Sequence, residues 1–278
     1  MSPSDVRGWL SAGAFVEGRA LTIGTPWETY RSSVLTPAHP HFVTLHGKGG
    51  GAVGYRTQLY AADAYGVGFV LLTAGPMDTI NVLLDSVLAT LVPAVDQAAR
   101  DEAESKYARD FVGSSPGGDD GGNSTSNNNN TTTTSSSASF ALDDTSLVLT
   151  GLWRGESDIL SAVVDLLNLS IGRYIAAVSQ PLRLFPNDLD EQVTLDDGTP
   201  VTREVWRLWP TLTFGTGGSE MPGVGITGMD NACFTWSVGD WVYYGGEPMD
   251  RVLFYRDADG DVVGFEAPFL RTGVLRAA

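Results

Sequence analysis

Short runs of large apolar residues, punctuated by glycine, mark the first third of the chain. HFVTLHG (41–47), GYRTQLYAA (54–62) and GVGFVLLTAG (66–75) predict three short strands joined by glycine-rich or acidic turns. Their apolar and polar positions alternate only in part, so the last strand is expected to be covered on both faces. The period then lengthens. From Met77 to Arg109 no glycine interrupts the chain, and Ile80, Leu83, Leu84, Val87, Leu88, Leu91 and Val95 recur at helical spacing, placing an apolar stripe against the sheet. Pro93 removes one backbone donor and is expected to kink or divide this helix, while its polar end, DEAESKYARD, should approach solvent.

The pattern disappears over residues 113–139, GSSPGGDDGGNSTSNNNNTTTTSSSAS, which contain no large apolar residue. Small polar side chains do not offset the entropy of ordering such a length, and the stretch reads as a linker or an elaborated loop. Beyond it, TSLVLTGLW, YIAAVSQPLRLF, EQVTL, VTREVWRLW, ACFTWSV, DWVYYGG, RVLFYRD and DVVGFEAPF predict strands separated by turns such as DDGTP and DADG, with a short helix over residues 156–168. The expected class is α+β: an antiparallel sheet with a long helix over 1–112, a linker over 113–139, and an antiparallel β-barrel or sandwich over 140–278.

Composition narrows the functional classes. A formal charge of −16 with only two lysines, Lys48 and Lys106, opposes attraction to nucleic acid or an anionic membrane. Cys233 is the sole cysteine, so neither an intrachain disulfide nor a thiolate zinc site is expected, and it reads as a small buried hydrophobe. The start, MSPSDVRGWLSAGAF, lacks a basic segment followed by an apolar core, so a cytoplasmic chain is expected and secretion would need an upstream signal. GTGGSEMPGVGITG has neither a P-loop lysine nor a dinucleotide fingerprint, and no cofactor is expected. His39, His41 and His46 show no H-x-x-x-H or HExxH spacing, and they read as loop or edge histidines with ordinary hydrogen bonds.

The stretch HGKGGGAVGYRTQLYAADAYGVGFVLLTAG (46–75), preceded by GTPWETYR (24–31) and followed by GLW, CFTW, YYGG and DRVLFY, resembles the carboxy-terminal part of serine β-lactamases and penicillin-binding proteins. The likeness is especially to the fungal class C-like hydrolases with an appended β-rich domain. The resemblance implies that Lys48-Gly49-Gly50 occupies the third active-site motif, where the lysine supplies positive potential beside a substrate-binding strand. Gly49 stands where the family has Thr or Ser. The nucleophile motif Ser-x-x-Lys occurs nowhere in the chain, because Leu45 and Ala103 lie three positions before the two lysines. Tyr-x-Asn is absent too, and Tyr30-Arg31-Ser32 lies only 18 residues before Lys48.

These features lead to the expectation of a truncated or degenerate β-lactamase-like protein without acyl-serine chemistry that binds a small organic molecule or a protein partner. The alternative is a repurposed catalyst of fungal small-molecule metabolism performing cyclisation, isomerisation or elimination in an apolar pocket. Lys48, His46 and Tyr55 are the catalytic candidates, with a purely structural glycine-rich strand as the competing reading. Trp236, Trp241 and Tyr243 are candidates to line a cavity in the β-rich region, or else to fill and cap its core. A homodimer is expected to bury Val67–Thr73 or the Ile80–Val95 stripe.

Overall fold

The computed structural model describes residues 3–11, 13–16, 21–76, 78–116, 133–173, 177–213 and 242–278. The chain forms two compact units, Met1–Glu102 and Ala103–Ala278. In the first, helix α1 (Pro3–Leu10) precedes strands β1 (Ala14–Phe15), β2 (Leu21–Ile23), β3 (Glu28–Ser32), β4 (Val43–Ala52), β5 (Tyr55–Ala62) and β6 (Val67–Ala74). These six form an antiparallel meander in chain order. A two-residue turn joins β4 to β5, with Gly54 at φ 81°, and a single 3₁₀ turn, closed by Gly66 in the left-handed region, joins β5 to β6.

Helix α2 (Thr79–Tyr107) follows, and the division between the units falls inside it. Leu84, Leu88 and Val92, spaced four apart, pack on Val43, Leu45, Tyr60, Ala62 and Phe69 of the sheet; of the expected stripe Leu84 and Leu88 make this contact, Val92 joins them although it was not expected, and Leu83 is 42% exposed. Pro93 does not divide the helix. The carbonyl it leaves without a helical donor is that of Ala89, an exposed residue, and Leu88 and Val92 on either side hold the helix to the sheet. By length and composition alone α2 is long and apolar enough to cross a membrane, with a mean hydropathy of 1.4 over its most apolar stretch. β6 departs from expectation. It alternates along its length, and Val70 and Leu72 are 56% and 74% exposed, so only one face is covered.

The second unit contains β7 (Asp110–Pro116), β8 (Thr133–Leu142), β9 (Leu147–Arg154), β10 (Ser157–Asp158), α3 (Ile159–Leu167), β11 (Ala177–Thr194), β12 (Pro200–Thr213), β13 (Tyr243–Tyr244), β14 (Glu247–Pro248), β15 (Arg251–Arg256), β16 (Val262–Glu266) and β17 (Leu275–Ala277). Strands β9-β11-β12-β15-β16-β17-β7-β8 pair in that order, and β8 pairs back with β9, closing an eight-stranded antiparallel barrel. Closure leaves no sheet edge among these strands. Phe111, Phe140, Phe254 and Phe265 meet inside it in tilted and edge-to-face pairs, with ring centroids 4.8–6.0 Å apart. Leu152, Leu182, Val252 and Leu275 complete that filling, and α3 adds Leu160, Val163 and Leu167.

The barrel begins earlier than the expected boundaries at 112/113 and 139/140. Residues 110–116 pair with 133–142, so both ends of the polar stretch are strands of the barrel. Ser136, Ala138 and Phe140 alternate as buried positions, and Ala138 is fully buried. Small side chains here make room for the large aromatic residues opposite, which explains why a composition with little hydrophobic content still forms a core strand. LRLF and EQVTL, expected as two strands, belong to the single strand β11, which has an irregularity between Pro186 and Asp190.

Candidate functional site

The glycine-rich strand is shaped by its neighbour. In the β4–β5 register Gly47 lies opposite Tyr60, Lys48 opposite Leu59 and Gly49 opposite Gln58. The Tyr60 ring lies across Gly47, where an added Cβ would come within 2.3 Å of the ring and 2.8 Å of the Leu59 carbonyl. Gly47 thus permits a close approach that other residues do not. Strand β3 pairs with β4 only as far as Glu28 opposite Gly47, whereas β5 stays paired to Ala52. From Lys48 onward, β4 extends past the last residue of β3 paired with it.

Strand parity puts His46, Lys48 and, across the ladder from Ala52, Tyr55 on one face of the sheet. It does not gather them into one cluster. Six residues of strand separate His46 from Ala52, roughly 20 Å. Lys48 donates to Glu28 Oε1 at 2.6 Å and to the Gly49 carbonyl at 3.1 Å, with both ionic side chains about half exposed. A carboxylate at that distance offsets the positive potential that the family motif requires of its lysine. His46 is buried: Nδ1 is 3.1 Å from Thr29 Oγ1, and Nε2 is 3.5 Å from Asp63 Oδ1. Both ring nitrogens are therefore occupied in tying β3, β4 and the turn after β5 together. Tyr55 sits at the exposed end of the hairpin.

A second polar cluster lies at the opposite end of β4. The Tyr65 hydroxyl donates to Asp96 Oδ1 at 2.9 Å and lies 3.0 Å from His41 Nε2. His41 Nε2 is itself 3.6 Å from Asp96 Oδ1, and Nδ1 is 2.8 Å from the His39 carbonyl and 3.3 Å from Thr36 Oγ1. Burial first, and then the hydrogen bond to Asp96, raises the Tyr65 hydroxyl well above the ordinary tyrosine range. His41, Phe42, Val43, Thr44, Asp63, Ala64, Tyr65 and Asp96 line a cleft of about 350 Å³ there. Sequence reasoning did not single out Tyr65 or Asp96. The signal was nevertheless present, because Asp96 is the carboxylate that continues the Leu84, Leu88, Val92 series at the next helical step.

A larger groove of about 510 Å³ is lined by Tyr30, Val34, Leu35, Pro37 and Tyr60 with Leu84, Asp85, Leu88, Ala89 and Pro93 of α2. Burial, Glu28 and Tyr30 together raise the Tyr60 hydroxyl above the ordinary range. Among the described residues of the barrel, a slot of about 20 Å³ lies beside Trp209, Leu208 and Met249. Trp206 is a core residue, packed against Tyr107 and Phe254. Tyr243, expected to line a cavity, is 59% exposed on the small β13–β14 hairpin. Cys233, Trp236 and Trp241 lie outside the described residues. Among the described residues, no three His, Cys, Asp or Glu side chains come together as a metal site.

The class is given by likeness to known proteins, and it is β-lactamase-like. The chain belongs to the family described as "Beta-lactamase-like-like, C-terminal domain", which matches residues 99–278. It is 31% identical, over 99% of its length and 45% of the relative's, to a "Beta-lactamase-like protein" of Arthroderma benhamiae. It is 26% identical, over 92% of its length and 38% of the relative's, to "Probable hydrolase clz13" of Cochliobolus lunatus. The chain thus spans less than half the length of either fungal relative. No solved structure matches it.

Proposed function

We propose that this chain is a β-lactamase-like module that does not form an acyl-serine intermediate and instead binds an apolar small organic molecule without a covalent bond. The observation that carries the reading is the groove of about 510 Å³ between α2 and the sheet, which has an apolar floor and tyrosines at Tyr30 and Tyr60. That volume lies within the range of small-molecule sites, and mostly apolar walls with a few polar groups are the usual composition. The chemistry of Lys48 supports leaving acylation out: its ammonium is engaged by Glu28, Gly49 provides no hydroxyl, and no Ser-x-x-Lys is present in the chain. The related catalytic reading, cyclisation, isomerisation or elimination, would use the same groove with Tyr60 as a proton donor.

Titration with the neutral dye Nile red tests the groove. The expected result is saturable fluorescence enhancement that Ala89→Trp, which fills the groove from the exposed side of α2, weakens by about tenfold or more. Equal binding by the two proteins, or no saturable binding by the original chain, would contradict the reading.

A second reading concerns partners, and one observation favours a second copy of the chain. The two surfaces expected to be buried in a dimer differ: Leu88 and Val92 of α2 already pack on the chain's own sheet, whereas Val70 and Leu72 project outward from the edge strand β6. Two such edges can pair antiparallel about a two-fold axis. Light scattering at low concentration should report a dimer that Leu72→Lys converts to a monomer; a monomeric original chain would exclude this reading.

A further inference from the structure

We propose that the cleft holding His41, Tyr65 and Asp96 is a binding site for a small organic cation, with its ammonium group paired to Asp96. Asp96 is the reason to look there. Its side chain is only 9% exposed, on a helix face whose preceding steps are Leu88 and Val92, and burying a carboxylate at such a position is costly unless a counter-charge or several donors meet it. The protein meets half of it. Oδ1 accepts the Tyr65 hydroxyl and faces His41 Nε2, whereas among the described residues Oδ2 accepts no hydrogen bond.

The two ring nitrogens of His41 are already directed at Tyr65 and at the His39 carbonyl, so His41 is held in place beside the carboxylate rather than across the cleft from it. No lysine or arginine lines the cleft, and Asp63, half exposed at its wall, adds to its negative character. The other walls suit the organic part of such a ligand. Phe42 and Tyr65 present aromatic surface, and the Phe42 ring already receives a cation, the Arg31 guanidinium, 5.1 Å from its centroid. A space of about 350 Å³ accommodates an arylalkyl amine. The site is separate from the α2 groove, so the outcome for one leaves the other reading intact.

Isothermal titration with phenethylammonium, and with 2-phenylethanol as its uncharged counterpart, tests the assignment. The original chain binds the ammonium and binds the alcohol at least about tenfold more weakly. Asp96→Asn keeps an acceptor for Tyr65 but loses the charge, and it reduces ammonium affinity by about tenfold or more. Ala64→Trp fills the cleft from its exposed rim without touching the Asp96 contacts, and it abolishes binding while the protein retains a cooperative melting transition. Equal binding of the amine and the alcohol, undiminished binding by either variant, or no binding of phenethylammonium at millimolar concentration would overturn the proposal.

Discussion

The Tyr107 hydroxyl donates to Glu204 Oε2 at 2.7 Å, joining the last turn of α2 to a barrel strand 97 residues further along the chain. The ring sits 4.9 Å from Trp206 and 5.1 Å from Phe254, so the same side chain contributes to the barrel core. The barrel therefore includes its lead-in helical turn as a structural part. A family match that begins at residue 99 agrees with that boundary.

Tyr107→Phe should separate the hydroxyl from the ring. Loss of one part-buried hydrogen bond to a carboxylate is expected to cost about 1–2 kcal/mol at neutral pH, measured by urea unfolding. Burial first, and then Glu204, raises the Tyr107 hydroxyl above the ordinary range, so its contribution is complete below the unfolded value near 10 and declines as pH rises beyond it. The variant should consequently lose stability less steeply than the original chain above that pH. Parallel alkaline slopes would contradict this assignment.

Asp143 governs the acid side. Burial pushes its carboxyl upward, but hydrogen bonds from the Ser146 and Thr145 amides, the Thr145 hydroxyl and Arg183 outweigh it and lower the value to about 2. A depressed carboxylate contributes stability above its unfolded value near 4, and that contribution disappears as pH falls towards the folded value. Asp143→Asn should be less stable than the original chain at pH 7, and the two should converge between about pH 4 and pH 2. Urea midpoints measured across that interval provide the check; a constant difference would count against the linkage.

Substitutions along β4 distinguish packing from residual chemistry. Gly47→Ala places a Cβ against the Tyr60 ring and the Leu59 carbonyl and should destabilise by about 1–3 kcal/mol. Gly49→Ser restores the hydroxyl that the family carries, and its Cβ would lie 3.2 Å from the flexible end of Gln58, so thermal unfolding should change little. Neither variant should hydrolyse a chromogenic cephalosporin. Hydrolysis by Gly49→Ser would show that one hydroxyl suffices to restore chemistry.

Much of the local architecture was legible because it depends on spacing. The four-residue steps of α2 and the glycine turns around β5 follow directly from the sequence pattern. Ser136 and Ala138 were harder to place, since their inward positions acquire meaning only from the large rings of Phe111, Phe254 and Phe265 brought near by barrel closure. The same division applies to the candidate site. Lys48 was visible through its glycines, but Glu28, which holds its ammonium, comes from another strand. His41, Tyr65 and Asp96 come from a loop, a 3₁₀ turn and a helix, and no short motif connects them.

The most direct measurement is intact-protein mass after incubation with a fluorophosphonate and, separately, with a penicillin. A chain whose Lys48 is paired with Glu28 and whose sequence contains no Ser-x-x-Lys should keep its unmodified mass throughout, even at reagent excess and prolonged exposure. A stoichiometric mass increase that peptide mapping assigns to a single serine would contradict the account.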